Sequence, residues 1–170
     1  MPAGSKRSAT SYSTSCPGIL SHANDWQYLF DYDATPIIFP PSIYATDQRP
    51  DTVIWSEASK TLILIELTVP DEDNIADAAF RKKNKYIELV DACRAAGWEV
   101  YFQSVEVGVR GFVAHSFVAC LRLLGVSGAT VKRAKSSVSK TVLRCSYMIY
   151  LARNLPDWKH IELIDDDLAA

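Results

Sequence analysis

Two apolar segments near the middle of the chain predict a β-hairpin whose two faces are both covered. The segments, DTVIWS and TLILIELTV, are separated by the four residues EASK, which supply a short polar turn. Both segments are apolar at consecutive positions rather than at every second one, a pattern typical of strands buried on both sides of a sheet. Pro70 ends the second segment, and the DEDN that follows favours the start of a helix.

The spacing of apolar residues further along predicts three helices and one more strand. A helix over residues 75–96 has apolar positions three and four apart, and Gly97 stands where a C-terminal cap belongs. WEVYFQSVEVGV is expected to be a strand, FVAHSFVACLRLLG a short helix, and residues 130–153 a long helix with one apolar stripe. DWQYLFDYD, earlier in the chain, fits either a short strand or a turn of helix. Together these elements predict an α/β sandwich, with a central mixed sheet flanked by helices.

Length and composition fit one such domain. The chain has 170 residues, and the patterns place the domain at residues 25–156. Residues 1–24 are rich in Ser and Thr and are expected to be disordered, while residues 157–170 form an acidic tail. The apolar runs are too short for a membrane span, the first residues lack the apolar core of a secretory signal, and the cysteines form no C-x-x-C pair. We therefore expect an intracellular protein with free thiols and no membrane partner.

Charge is distributed unevenly along the chain. Residues 47–77 contain eight carboxylates against two cations, whereas residues 107–156 contain eight cations and no carboxylate. This asymmetry fits a protein that holds a polyanion near a metal site. It equally fits a solvated helix surface that is balanced by acids elsewhere.

The hairpin register predicts a pair of facing carboxylates. If EASK is a four-residue loop, Ser56 pairs with Thr61, and the same register places Asp51 opposite Glu66. Directly opposed residues have their Cβ atoms about 4.5–5.5 Å apart. Two carboxylates at that distance repel each other unless a cation lies between them, and Mg²⁺ binds through one or two carboxylates. The alternative is that Asp51 caps an exposed strand end and Glu66 pairs with a lysine.

Lys82 falls on the apolar stripe of the predicted helix, three residues after Ala79 and four before Tyr86. It is therefore expected to face the sheet, where a lysine needs an anionic partner or a function. A salt bridge with Glu66 and a catalytic role near a metal ion have nearly the same geometry, so both interpretations stay open.

Three segments in order, RPDTVIW, LILIELTVP and AAFRKKNKYIELV, resemble the PD-(D/E)xK nuclease superfamily. The resemblance is greatest to the restriction-like endonuclease domain of non-LTR retrotransposons and to related uncharacterised animal proteins, and VEVGVRGFV is similar to that family as well. It spans residues 25–153. It implies a restriction-endonuclease-like α/β fold and a Mg²⁺- or Mn²⁺-dependent endonuclease that hydrolyses phosphodiester bonds of DNA.

By motif position, the resemblance implies that Asp51 and Glu66 are metal ligands, with the backbone carbonyl of Leu67 as a possible third. The superfamily's usual lysine two residues after the glutamate is replaced here by Thr68. In the retrotransposon branch that lysine is found on the following helix, where Lys82 occupies the matching position. Lys82 would then position the attacking water or offset developing charge. Gln103, on the neighbouring strand, would either contact substrate or be an ordinary strand residue.

The implied partner is nucleic acid, DNA in the first instance, and the expected location is the nucleus. The cations expected to contact nucleic acid are Arg49, Arg81, Lys85, Arg110, Lys132 and Lys135, with Lys140 and Arg144 further along the last helix. Arg110 could equally pair with an acid, and the helix lysines could equally form a solvated face.

The competing hypothesis is a non-catalytic protein. A domesticated nuclease fold would keep Asp51 and Glu66 for structure and would act as a nucleic-acid-binding or protein-interaction module. Association through an exposed sheet edge, giving a homodimer, is compatible with either hypothesis.

Overall fold

The computed structural model of this protein describes residues 17–31 and 38–153. They contain the strands β1 (Gln27–Phe30), β2 (Thr52–Ser56), β3 (Thr61–Thr68) and β4 (Glu99–Glu106), and the helices α1 (Ile75–Ala95), α2 (His115–Leu123) and α3 (Gly128–Ala152). Short 3-10 turns lie at Ile19–His22 and Glu72–Asn74. The strands form one sheet in the order β1-β2-β3-β4. The first two pairings are antiparallel and the third is parallel, so the sheet is mixed, as predicted.

The β2–β3 hairpin has the predicted register. Ser56 pairs with Thr61, and the pairing continues to Thr52 opposite Ile65, which is the last pair. Asp25 supports the turn, because its carboxylate accepts hydrogen bonds from the Ser56 hydroxyl at 2.5 Å and the Ala58 amide at 2.9 Å. The chain entering β2 at Asp51 is thereby held beside the C-terminal end of β3.

Helix α1 forms the crossover that two parallel neighbouring strands require. It begins and ends within one residue of its predicted bounds. It ends in a Schellman arrangement, in which the Trp98 amide reaches the Cys93 carbonyl and the Gly97 amide reaches Arg94. Gly97 has a φ of +90°, a conformation that glycine adopts at no steric cost.

The main core lies between α1 and one face of the sheet. It combines β2, β3 and β4 side chains such as Val53, Leu64 and Val100 with Tyr86 and Leu89 of α1. The β-strand residues that point the other way, among them Ile63 and Val105, are buried as well, and α2 packs against β4. The consecutive apolar positions of the hairpin thus reflect a sheet with both faces covered.

Part of the predicted N-terminal segment packs against the domain. Composition predicts that residues 17–24 belong to a disordered segment, yet Ile19 is buried in a 3-10 turn and the Trp26 indole donates to the Leu20 carbonyl. Gly18 lies so close to Gly125 that a Cβ would be 2.1 Å from the Gly125 Cα. DWQYLFDYD contains the strand β1 rather than a helical turn. Residues 1–16 and the acidic tail at 157–170 lie outside the described residues.

Candidate active site

Asp51 and Glu66 interlock at the open end of the hairpin. The Asp51 amide donates to Glu66 Oε2 at 3.1 Å, and the Leu67 amide donates to Asp51 Oδ2 at 2.7 Å. Each acid therefore accepts a hydrogen bond from the strand that carries the other one. Glu66 is only 1% exposed, whereas Asp51 is half-buried. The pairing fixes both carboxylates where β2 begins and β3 continues past it.

Lys82 reaches this pair from helix α1. Its Nζ lies 2.5 Å from Glu66 Oε1, and the side chain is 30% exposed, so Lys82 is largely buried but not cut off from solvent. Lys85, one turn later, places its Nζ 3.7 Å from the same oxygen. The predicted orientation of Lys82 toward the sheet is the one that the structure has, and the lysine and the acid form an ion pair.

Burial and the neighbouring groups have opposing effects on the pKa of Asp51. Loss of water on burial raises the pKa of Asp51 above its usual value, and the nearby charge of Glu66 raises it further. The Leu67 amide and the Lys82 charge act in the other direction without cancelling the rise. The ionised form of Asp51 is thus held at an energetic cost, which a cation bound between the acids would reduce.

Tyr86 fixes the segment that carries Asp51. Its hydroxyl donates to the Arg49 carbonyl at 2.8 Å and accepts from Lys85 Nζ at 2.8 Å, and its ring is completely buried. Burial and the Glu66 charge raise the pKa of Tyr86 well above its usual value, which keeps the hydroxyl protonated and able to donate. The helical repeat predicts Tyr86 only as a residue of the apolar stripe and does not indicate its hydrogen bond to Arg49.

Asp31 is a further acid near the site that sequence analysis missed. Its amide donates to the Asp51 carbonyl at 2.8 Å, and its charge contributes to raising the pKa of Asp51. The signal was available in DWQYLFDYD, where an acid follows an apolar strand segment, but it depended on β1 pairing with β2. No short turn connects these two strands, so the sequence does not indicate that they pair.

The predicted accessory residues have different positions. The Leu67 amide donates to the Asp51 carboxylate. Because the amide and the carbonyl of a strand residue point to the same side of the strand, the Leu67 carbonyl also points to the side of β3 on which Asp51 lies. Thr68 shares a face of β3 with Glu66. Gln103 does not belong to the cluster, because it pairs with Ile65 and its side chain points to the opposite face from Glu66. The residue that pairs with Glu66 is Ser104.

The predicted nucleic-acid contacts separate into three groups. Three of them lie at or near the site: Lys85 contacts Glu66, and the Arg49 carbonyl accepts the hydrogen bond from Tyr86. Arg81 is exposed on α1, next to Lys82 in the sequence. Arg110 pairs with Glu72, its guanidinium 2.7 Å from Oε2 and its amide 2.8 Å from Oε1, so the alternative interpretation describes it better. Lys132 and Lys135 are exposed on α3 and lie along a separate cavity.

The residues present are suitable ligands for a hard divalent cation. Mg²⁺ needs one or two carboxylates and keeps several waters, and the pair Asp51 and Glu66, with the Leu67 carbonyl beside it, supplies oxygen ligands of that kind. Carboxylate oxygens carry more than one lone pair, so the hydrogen bonds already made leave further acceptor capacity. In the described part of the chain, no group of three or more His, Cys, Asp or Glu side chains is arranged to hold a metal. The ion would therefore depend on two acids, a backbone oxygen and water.

No protein-family model matches the sequence, and no curated protein matches it. Among solved structures, an N-terminal domain of a reptarenavirus L protein is similar with a TM-score of 0.35 and 17% identity, over 59% of this chain and 57% of that one. A cap-snatching endonuclease of Toscana virus is similar with a TM-score of 0.34 and 20% identity, over 60% and 54% of the two chains. This chain thus spans little more than half of each. Similarities of this extent define no function.

Proposed function

We propose that this protein is a metal-dependent endonuclease of the PD-(D/E)xK type, related to the retrotransposon enzymes, that hydrolyses phosphodiester bonds of DNA. The observation that supports the proposal best is the interlocked pair of Asp51 and Glu66 with the Lys82 ammonium 2.5 Å away. A half-buried aspartate with a raised pKa beside a buried glutamate is costly to keep for packing alone. An acid with a perturbed pKa beside a lysine is typical of catalytic sites.

In this proposal, Asp51, Glu66 and the Leu67 carbonyl hold Mg²⁺ or Mn²⁺. When bound, the ion supplies Lewis-acid chemistry and lowers the pKa of a bound water. Lys82 holds the Glu66 carboxylate in place, and its partly exposed side chain directs the ammonium to the phosphate, where it offsets negative charge. Tyr86 keeps the Arg49–Asp51 segment in register, so that Asp51 stays within reach of β3. Lys85 adds a second cation at the mouth of the site.

The test is cleavage of supercoiled plasmid, single-stranded DNA and branched DNA with Mg²⁺ or Mn²⁺. Asp51→Asn, Glu66→Gln and Lys82→Met keep the side-chain volumes nearly constant, and Lys83→Met is the matched control because Lys83 is the exposed neighbour of Lys82 on α1. We expect metal-dependent cutting by the wild type and by Lys83→Met, and none by the three site variants. Cutting that persists in all three would show that the activity does not come from this site. If no substrate is cut while DNA is still bound, the fold serves as a binding module.

A further inference from the structure

A second surface with nucleic-acid chemistry lies on the loop between β4 and α2. Phe112 is 57% exposed there, although phenylalanine normally contributes to a core. It lines a cavity of about 450 Å³ together with Lys132, Lys135, Ser136 and Ser139 of α3. None of the residues that line this cavity is acidic. An exposed ring beside two lysines and the Ser136 hydroxyl combines a stacking surface with groups that bind phosphate.

The loop that carries Phe112 is held rigidly. The Gly108 amide donates to the Phe112 carbonyl at 2.7 Å, and the Ser139 hydroxyl donates to the Gly111 carbonyl at 2.7 Å. Gly111 has a φ of +84°, and a Cβ there would lie 2.7 Å from the Ser139 carbonyl oxygen, so the loop and α3 approach as closely as glycine permits. The ring is therefore presented to solvent from a fixed backbone, which lowers the entropy cost of binding a ligand.

The same loop is hydrogen-bonded to the end of β3 that carries the carboxylate pair and to the residues that follow it. The Val107 amide donates to the Thr68 carbonyl at 3.1 Å and the Val109 amide to the Pro70 carbonyl at 2.9 Å. Three strand residues and one strand spacing separate Glu66 from Val107, a distance of about 11 Å from strand geometry. The base of the loop, at Val107, is therefore at the same end of the sheet as the carboxylate pair.

The charge of this part of the chain selects an anionic ligand. Residues 107–153 contain eight cations and no carboxylate. Paired bases are stacked inside a duplex, whereas an unpaired base can lie flat on an aromatic side chain. We infer that the cavity of Phe112, Lys132 and Lys135 binds single-stranded nucleic acid, with a base stacked on Phe112 and phosphates on the two lysines. The inference rests on the proposed function in one respect, namely that the bound strand leads to Asp51 and Glu66.

Binding is measured by fluorescence anisotropy with short single-stranded DNA and RNA and with the matched duplex, in EDTA so that no cleavage occurs. We expect the single strands to bind more tightly than the duplex, and Phe112→Ala to weaken their binding by about five- to a hundred-fold. Phe112→Trp should retain binding. Phe80→Ala is the matched control, because Phe80 is also exposed, at 66%, but lies on α1 along a different cavity, and it should leave the affinity unchanged. The DNA and RNA arms show which strand is preferred.

The lysines are tested through the salt dependence of the same binding. Lys132→Ala and Lys135→Ala should each reduce the slope of log K against log salt by about 0.7. Lys83→Ala, which removes an exposed lysine along the other cavity, should not change it. Equal affinities of Phe112→Ala and Phe80→Ala for the single strands would overturn the inference. So would a duplex that binds as tightly as the single strands, or an acidic peptide of the same net charge that displaces the single strands.

Failure of this inference and failure of the proposed function give different results. Binding that depends on Phe112, in a protein that cleaves nothing with any metal ion, supports the single-strand site and refutes the nuclease. Cleavage that depends on Asp51, with binding indifferent to Phe112, supports the nuclease and refutes the single-strand site.

Discussion

Removing the Lys82 ammonium is expected to leave Glu66 as a buried carboxylate with one poorly placed cation. Loss of one partner of a fully buried ion pair destabilises a protein by about 3–5 kcal/mol. Lys82 is 30% exposed, and Lys85 Nζ remains 3.7 Å from the acid, so the cost should fall below that range. We expect Lys82→Met to lower the free energy of unfolding by about 2 kcal/mol, or the Tm by roughly 4–8 °C.

The assay is urea and thermal unfolding without metal ions, followed by circular dichroism, for Lys82→Met, Glu66→Gln and the double variant. Since the double variant buries no unpaired charge, it should recover to within about 1 kcal/mol of the wild type. Lys83→Met should stay within about 0.5 kcal/mol. A Lys82→Met protein as stable as Lys83→Met, or a double variant as unstable as Lys82→Met alone, would refute the view that Lys82 neutralises Glu66.

Three further expectations concern the surroundings of the site. Tyr86→Phe leaves the Arg49 carbonyl without its buried donor and should cost about 1–3 kcal/mol by urea unfolding, with cleavage reduced as the Asp51 segment loosens. Hydrogen bonds from Ser56 and Ala58 lower the pKa of Asp25. The ionised Asp25 therefore stabilises the folded protein above pH 3.8, and this stabilisation is lost as the pH falls through the folded-state pKa. Unfolding titrations of Asp25→Asn should lack that acid-dependent loss. Burial raises the pKa of Cys93 and of Cys120 to about 11, so neither thiol should react with a thiol reagent at neutral pH until the protein is unfolded, and rapid labelling of the folded protein would contradict this.

The parts of the structure that follow from local rules could be predicted from the sequence. A four-residue turn fixes the register of the hairpin, so Asp51 and Glu66 meet as expected. The helical repeat fixes the face of α1, so Lys82 points to the sheet.

What could not be predicted depends on contacts between distant segments. The parallel register of β3 and β4 is set by packing across the α1 crossover, and it directs Gln103 to the opposite face from Glu66. In the same way, Asp31 reaches the site only because β1 pairs with β2, and Arg110 meets Glu72 across a gap of 38 residues. The sequence shows that these charged residues exist but does not show which of them meet.

The nuclease and the non-catalytic module differ in what they require of Asp51. Burial and Glu66 raise the pKa of Asp51, so the folded state holds its proton more tightly than the unfolded chain, and stability falls as the pH rises above 3.8 through the folded-state pKa. Asparagine can still accept the Leu67 amide but carries no charge. Asp51→Asn should therefore be more stable than the wild type at pH 7, with the difference disappearing toward low pH, while cleavage is lost.

Metal binding should make the wild type more stable than Asp51→Asn. A cation that binds only the folded protein stabilises it by about 2.7 kcal/mol at a hundred times its Kd. Mg²⁺ or Mn²⁺ should therefore raise the Tm of the wild type and leave Asp51→Asn nearly unchanged, because the variant has lost half of the carboxylate pair. Equal shifts in both proteins would place the ion elsewhere. A purely structural role for the pair predicts that the melting temperatures of both proteins are indifferent to metal.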